Sequence, residues 1–437
     1  MSQFTRRQFL GSTASAVIVA GTLAQRPVFG ANGRVGIGVM GLHNRGRDHL
    51  HGFGSLRASE VVAMCDVDDK VLQERATEFE TNFGYRPRMY RDVRDMLADD
   101  GVEAVSIAAP NHWHVLAAIW ACQAGKDVYI EKPMSHTLWE GRQMVEAAKQ
   151  YGRIVQHGTQ RRSDKEWGRA VQRLQAGVIG DVYMARIPVF KERDSLGKPK
   201  DTDPPEWLDW KLWQGPAKEH KYNPDYVHYN WHWFWRYGNG EVGNNAVHFI
   251  DVALWAMQRG IPTHVYSAGG RFGYKDMGET PNTQVATCTY DDGTMLVIDV
   301  RGRATNKEHD VDVGILCYGS DGYMANTTFY DKNGKEIPDK GEGLTDLELT
   351  DNHFESFVRA VQSRKQEDIR GTALDGHHAA GVCHLANIAY RMDRDLRFNQ
   401  EKERFIMNVR ANSMTTVEYR PGFEVPDLVA ARSTTAS

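Results

Sequence analysis

Residues 34–49 read RVGIGVMGLHNRGRDH, and the glycine spacing of a dinucleotide-binding turn occurs in it in two registers. Gly36, Gly38 and Gly41 spell G-x-G-x-x-G to the letter. Gly41 and Gly46 satisfy the outer positions of the same pattern, with His43 in the place of the middle glycine. Such a turn functions only between a strand and a helix, where glycines allow a tight turn and bring a pyrophosphate to the helix N-terminus. Gly36 and Gly38 lie inside the apolar run RVGIGVM, which must itself be the first strand. The second register puts Gly41 just after that strand and Gly46 at the head of RGRDHLHGF. Asp66, closing the run VVAMCD, stands 20 residues beyond Gly46, the distance expected of the acid that binds the ribose hydroxyls. The working turn is therefore read as Gly41, His43, Asn44, Arg45 and Gly46. His43, a residue type that tolerates unusual backbone angles, is expected to carry the strain of the missing glycine. Asp66 favours NAD over NADP, because a carboxylate repels a 2′-phosphate; Arg45 or Arg47 nearby leaves NADP open.

Beyond the turn, short apolar runs alternate with helical patterns as far as residue 156. EVVAMCD, EAVSIAA, DVYIE and RIVQH read as strands, and WHVLAAIWACQAG and LWEGRQMVEAAKQYG as helices. The second helix opens on Thr137-x-x-Glu140, a capping box, and stops at Gly152. Alternation of this kind predicts a doubly wound parallel sheet. After residue 157 the pattern changes. A helix over 165–176 leads to the strand DVYMARIPVF, then a long loop-rich region, then TQVATCTYDDGTMLVIDVRG, a hairpin around Asp292-Gly293. FESFVRAVQ and GHHAAGVCHLANIAYRM read as helices. This half is an α+β domain with a large, mostly antiparallel open sheet. The division is residues 1–31 as an export signal, 32–156 as a Rossmann domain and 157–430 as the α+β domain for substrate and oligomerisation.

The export signal is read from TRRQFLG (Thr5 to Gly11), paired arginines before Phe-Leu and a weakly hydrophobic stretch ending at Ala24; this is a twin-arginine pattern and predicts a periplasmic protein. Cleavage after Ala24 or Ala31 fits equally. The stretch is too short for a stable membrane anchor. Removal of residues 1–31 takes away Arg6, Arg7 and Arg26 and no acid, so the formal charge moves from −4 to −7. Such a surface disfavours nucleic acid and anionic lipid as partners. The five cysteines are scattered, without a C-x-x-C pair, and read as buried thiols.

Two further segments are more specific: APNHWH at 109–114 and GKDVYIEKP at 125–133. With the turn above, they resemble the glucose–fructose oxidoreductase, inositol dehydrogenase and rhizopine-catabolism family, Gfo/Idh/MocA. The resemblance implies that Pro110, Asn111 and His114 line the cofactor cleft. It places Glu131 and Lys132 at the nicotinamide, with Gln160 and Arg161 bordering the cofactor. DVYIEKP independently sets Lys132 at the carboxyl end of a parallel strand, where open α/β sheets bind ligands. In the second half, RYGNGEVGNNAVHFIDVALWAM carries Asn244-x-x-x-His248-x-x-Asp251, three positions on one helical face. The family's polyol dehydrogenases have Asp-x-x-x-His here, so Asn244 departs from the pattern. His248 is assigned as general base and Lys132 as the donor that stabilises a developing alkoxide, with Asn244 orienting substrate or imidazole.

Six of the eleven tryptophans fall between Trp207 and Trp235. Aromatic faces stack on sugar C–H faces, which makes Tyr229, His232 and Trp233 candidate substrate contacts; packing at a domain or subunit interface is the alternative for most of this cluster. His228 and His232, four apart, do not make a convincing metal set, and no metal is expected. The function implied is NAD(P)-dependent oxidation of a secondary hydroxyl on a sugar, sugar derivative or polyol, with a tightly bound, recycled cofactor and a homodimer or homotetramer. A redox-neutral NAD-dependent glycosidase and a non-catalytic sugar or NAD sensor are the rival readings.

Overall fold

In a computed structural model of the protein, which describes residues 33–341 and 352–430, the run RVGIGVM forms a strand, β1 (Val35–Met40), every residue of it buried. The proposed export signal lies outside the described residues. Strands β2 (Ser59–Cys65), β3 (Arg88–Tyr90), β4 (Ala104–Ile107), β5 (Asp127–Glu131) and β6 (Val155–Gly158) complete a six-stranded sheet in the order β3-β2-β1-β4-β5-β6. All its pairings are parallel. That is the doubly wound order whose direction of progress reverses between β1 and β4, and the crevice at the carboxyl ends of those two strands is where such sheets take ligands. The sheet continues to Gly158, two residues past the 156 boundary read from the sequence.

Helices α1 (Arg45–Gly54), α2 (Asp69–Phe83), α3 (Val93–Leu97), α4 (Asn111–Gln123) and α5 (Leu138–Tyr151) cover the sheet. The capping box of α5 is present: Glu140 N donates to Thr137 Oγ1 (3.2 Å), and Thr137 N donates to Glu140 Oε2 (3.1 Å). Gly152 ends α5 at φ 60°, as a C-terminal glycine does. Because Thr137 satisfies an otherwise orphaned donor, Thr137→Ala is expected to cost about 1 kcal/mol, read as a lowered thermal midpoint.

The second sheet has nine strands: β7 (Val182–Val189), β8 (His264–Gly270), β9 (Thr283–Thr289), β10 (Met295–Arg301), β11 (Leu316–Gly319), β12 (Gly322–Ala325), β13 (Thr328–Asp331), β14 (Leu396–Asn399) and β15 (Arg404–Phe405). Their order is β13-β12-β11-β7-β10-β9-β8-β14-β15. Only β7 and β10 pair in parallel; the other neighbours are antiparallel. The hairpin read around Asp292-Gly293 joins β9 to β10, with Gly293 at φ 84°. Helices α6 (Lys165–Gln175), α7 (Trp210–Gln214), α8 (Val247–Met257), α9 (His353–Ser363), α10 (Ala373–Met392) and α11 (Val409–Ser413) follow in chain order. Side chains of α6, α8 and α10 share one core with the inward faces of β7–β11. Tyr266 and Val285 stand exposed on strands whose alternate residues are buried.

Chain order and packing diverge in two places. Phe357, Val358, Ala360 and Val361 of α9 join the core formed by β1, α1 and α2, and Val425 and Leu428 pack with α4 and α5. The first sheet therefore draws both helical layers partly from the last third of the chain. All five cysteines are free and buried.

Candidate active site

The register question is answered at the end of β1. Gly41 turns the chain at φ 79°, and a Cβ there would stand 2.8 Å from the backbone of Ala108 and Ala109 at the end of β4. A Cβ on Gly46 would stand 1.7 Å from Gly41 O, so only glycine lets α1 start this close to the strand. Gly36 and Gly38 meet Gly101, Met96 and Val102 within the domain instead. The strain expected at His43 falls on the next residue: Asn44 takes φ 35°, an angle Asn tolerates better than most.

One cleft runs along the carboxyl ends of the strands from Asp66, Val67, Arg91 and Val93, past Gly41–Arg45 and Ala108–Asn111, to Glu131, Lys132 and Asn244. Asp66 accepts from Leu42 N at 2.7 Å (Oδ2) and from Asp68 N at 3.0 Å (Oδ1). Each oxygen retains a lone pair for a ribose hydroxyl. Burial raises the pKa of this carboxyl, with the two backbone donors opposing. His43 Nδ1 is buried and lacks a hydrogen-bond partner among the described residues. A glycine cradle that a Cβ would fill, a ribose-facing acid and an orphaned polar atom at the turn together fit a dinucleotide.

At the other end Glu131 is a hub. Its Oε1 accepts from Arg45 Nε (2.9 Å), His49 Nε2 (3.1 Å) and Gln160 Nε2 (2.9 Å), and its Oε2 from Lys132 N (3.0 Å). Burial resists its ionisation, but Arg45, His49 and Lys132 hold it well below the usual carboxylate range. With Nε2 carrying its proton, His49 donates to Glu131 while Nδ1 accepts from Ser106 Oγ (2.7 Å). Gln160 thus reaches the site through Glu131.

Lys132 follows β5. Its ammonium donates to Asn244 O (2.6 Å) and lies 3.4 Å from Asn244 Oδ1. An ammonium has three protons, so one remains for the cleft. Burial lowers its pKa, Glu131 opposes and Arg45 adds. Asn244 Nδ2 donates to Tyr229 OH (3.3 Å), which links the second domain's aromatic segment to Lys132. Asn111 Nδ2 donates to Asn239 Oδ1 (2.8 Å), another tie between the domains. His114 is a buried strut whose ring nitrogens face Pro133 O (2.8 Å) and Ala109 O (2.7 Å); it fixes the turns after β4 and β5 relative to each other.

The helical face read for Asn244, His248 and Asp251 is not kept. Val242–Ala246 forms a π-turn ahead of α8, and such insertions change the register of side chains. Asn244 enters the cleft. Asp251 instead accepts from Thr159 Oγ1 (2.5 Å) and Arg162 Nε (2.8 Å), anchoring α8 to the end of β6. His248 is half-buried, is not among the residues that line the cleft, and has no hydrogen-bond partner among the described residues. Burial holds its imidazole well below the usual range; Lys132 and Arg161 depress it further, and Glu131 opposes. The Arg161 guanidinium lies 4.2 Å from the Phe249 ring centroid and, among the described residues, has no ion pair.

The tryptophan-rich segment forms its own core of Leu208, Trp210, Trp213, Tyr222, Tyr226, Trp231, Trp233, Phe234 and Tyr237. It sits on the cleft as a cap, to which Leu212, Trp213, His228, Tyr229, Trp231 and His232 contribute lining. Tyr229 and His232 therefore face the site. Trp233 does not: it is buried in the cap, with the Arg193 guanidinium 5.1 Å from its ring centroid. His228 and His232 point to different partners, Asp68 Oδ2 (2.8 Å) and Tyr229 O (2.6 Å). Among the described residues no group of three His, Cys, Asp or Glu side chains is placed to hold a metal. Val67, Arg91, Val93, Leu212, Trp213 and His228 also line the cleft, and no motif in the sequence marks them.

Comparison with known proteins agrees with this architecture. Residues 35–159 match the model for an oxidoreductase family with an NAD-binding Rossmann fold, and residues 195–425 match that family's C-terminal alpha/beta domain. The uncharacterized oxidoreductase YrbE of Bacillus subtilis is 23% identical over 291 residues, 66% of this chain and 72% of YrbE. Inositol 2-dehydrogenase of Salmonella typhimurium is 33% identical over 149 residues, covering 34% of this chain and 43% of the relative; the match thus spans less than half of that enzyme. In fold, the chain is similar to the WlbA dehydrogenase of Bordetella pertussis, solved with NADH and UDP-GlcNAcA. Its TM-score is 0.64 at 19% identity, covering 84% of this chain and 99% of that one. On the two family matches, which together take in most of the sequence, the chain belongs to the Gfo/Idh/MocA oxidoreductase family.

Proposed function

We propose that this protein is an NAD-dependent oxidoreductase acting on a secondary hydroxyl of a sugar, sugar derivative or polyol. The observation that carries this is Lys132, held at the carboxyl end of β5 with its ammonium turned to Asn244 in the cleft. NAD, when bound, supplies the hydride acceptor. Gly41 to Gly46 and Asp66 would hold its diphosphate and ribose, and Glu131 keeps Arg45, His49, Gln160 and Lys132 in register at the other end of the cleft. The Lys132 ammonium donates to the substrate oxygen and offsets the negative charge that grows on it as the C–H bond breaks. His248 is the group assigned to receive the hydroxyl proton, since its low pKa keeps it neutral and able to accept. Asn244, Tyr229 and His232 orient the substrate. Names of relatives support the substrate class: inositol dehydrogenases and a dehydrogenase solved with a nucleotide sugar acid.

The experiment is direct. Purified full chain is denatured and the supernatant assayed for nicotinamide; native protein is then mixed with sugars, polyols and aryl glycosides. Reduction of bound cofactor without aglycone release is the expected result. Aglycone release with no net reduction favours the elimination route, and absence of bound or bindable NAD(H) overturns the enzyme reading. The pH profile adds a second check. Because Arg161 depresses His248, Arg161→Gln is expected to move the acid limb of kcat/KM to higher pH, toward the ordinary histidine range.

Export through the twin-arginine route is part of the same proposal, supported by TRRQFLG. That route carries folded proteins, which suits an enzyme that leaves the cytoplasm with its cofactor already bound and regenerates it in each cycle. The cap over the cleft supports such retention. Pairing of subunits through the exposed sheet face is supported by Tyr266 and Val285.

A further inference from the structure

The cap is fastened to the Asp66 end of the cleft, far along the sequence from the turn it covers. Asp69 N donates to Trp207 O (2.9 Å), Asp209 N donates to Val67 O (3.0 Å), and the Lys70 ammonium lies 4.5 Å from the Trp207 ring centroid. The other end of the same segment returns through His228. Its Nε2–H donates to Asp68 Oδ2 (2.8 Å), and its ring stacks on His43 with centroids 4.6 Å apart and planes 16° off parallel. Asp68 is buried, and its Oδ1 is already committed to capping α2 through Lys70 N (2.9 Å) and Val71 N (3.0 Å). The oxygen left over is the one that takes His228. His43 is thereby clamped from above, in the turn between Gly41 and Gly46, and its buried Nδ1 has no acceptor or donor among the described residues.

A stacked imidazole pair thus sits over the turn where a diphosphate meets a helix N-terminus, and one of its ring nitrogens is buried without a partner among the described residues. We propose that His228 is a cofactor-binding residue supplied by the second domain. The His43–His228 pair closes over the diphosphate of the dinucleotide, and the Asp68–His228 bond latches the cap, so that cofactor stays through turnover. This rests on the NAD-dependent reading above and adds to it a residue and a mechanism of retention.

The test measures release rather than activity. Full-length protein loaded with NADH is diluted, and the loss of bound-cofactor fluorescence is followed. His228→Ala is expected to release NADH about tenfold faster or more, the scale of one lost polar contact. His228→Gln keeps a side-chain amide for Asp68 but loses the stack, and serves if the alanine variant folds poorly; it is expected to fall between the two. His43→Ala should release NADH faster too, and the double variant no faster than the larger single, because the pair acts as a unit. Wild-type release from both His228 variants, with NADH bound at the start, overturns the latch and leaves the NAD reading standing. Failure of the wild-type protein to bind NADH overturns both.

Discussion

Lys132→Met is expected to lose about 10²–10³-fold in kcat, the scale of removing one preorganised donor from a developing oxyanion, while still binding NADH. Two facts separate the chemistry from the binding here. The side chain's bonds run to Asn244 in the second domain, not to the dinucleotide turn. The backbone N–H that braces Glu131 survives the substitution, so the Arg45–His49–Gln160 hub is kept. Methionine also fills the lysine stem's volume, which protects the packing against the loss of the charge. A kcat loss with NADH affinity within a few-fold of wild type is the expected pattern. A variant that turns over at near-normal rate would remove Lys132 from the mechanism.

Gly46→Ala is expected to abolish NADH binding and to lower the thermal midpoint, because the new methyl would sit 1.7 Å from Gly41 O. No rotation relieves that contact, and α1 must retreat from the strand, carrying His43 and Arg45 with it. The informative partner is Gly38→Ala in the literal G-x-G-x-x-G. Its methyl would meet Met96 Sδ at 3.0 Å and Val102 Cγ1 at 3.1 Å, side-chain atoms that give way at a cost of about 1 kcal/mol or a little more. That variant should lose stability and keep NADH, as read by thermal shift and fluorescence titration on the same preparations. The reverse outcome would restore the literal register.

Local chemistry is what the sequence made legible. The turn at Gly41 and Gly46, the Thr137 capping box and the Asp292-Gly293 hairpin depend on residues a few positions apart, the acid at Asp66 on the fixed length of one strand–helix–strand unit, and each is in place. Lys132 was legible for a related reason: a strand followed by proline has a defined carboxyl end. The remainder depends on tertiary placement. Helical periodicity in FESFVRAVQ identifies a buried face but not the sheet that buries it, and that face goes to the first domain. A π-turn is invisible to a 3.6-residue period, so the spacing groups Asp251 with Asn244, whereas Asp251 pairs with Arg162. The tryptophan cluster announced an apolar mass but not its seat, and only the folded chain brings His228 onto His43.

The measurement that bears most directly on the proposed function is hydride transfer to the nicotinamide within the purified protein. NAD-loaded full chain would be mixed with inositol and with a panel of aldoses and sugar acids, and the rise of reduced-nicotinamide absorbance followed in a single turnover. Reduction by at least one member of the panel, lost in Lys132→Met and preserved in Arg161→Gln at high pH, is the result expected. A chain that binds no NAD(H) would contradict the proposal outright.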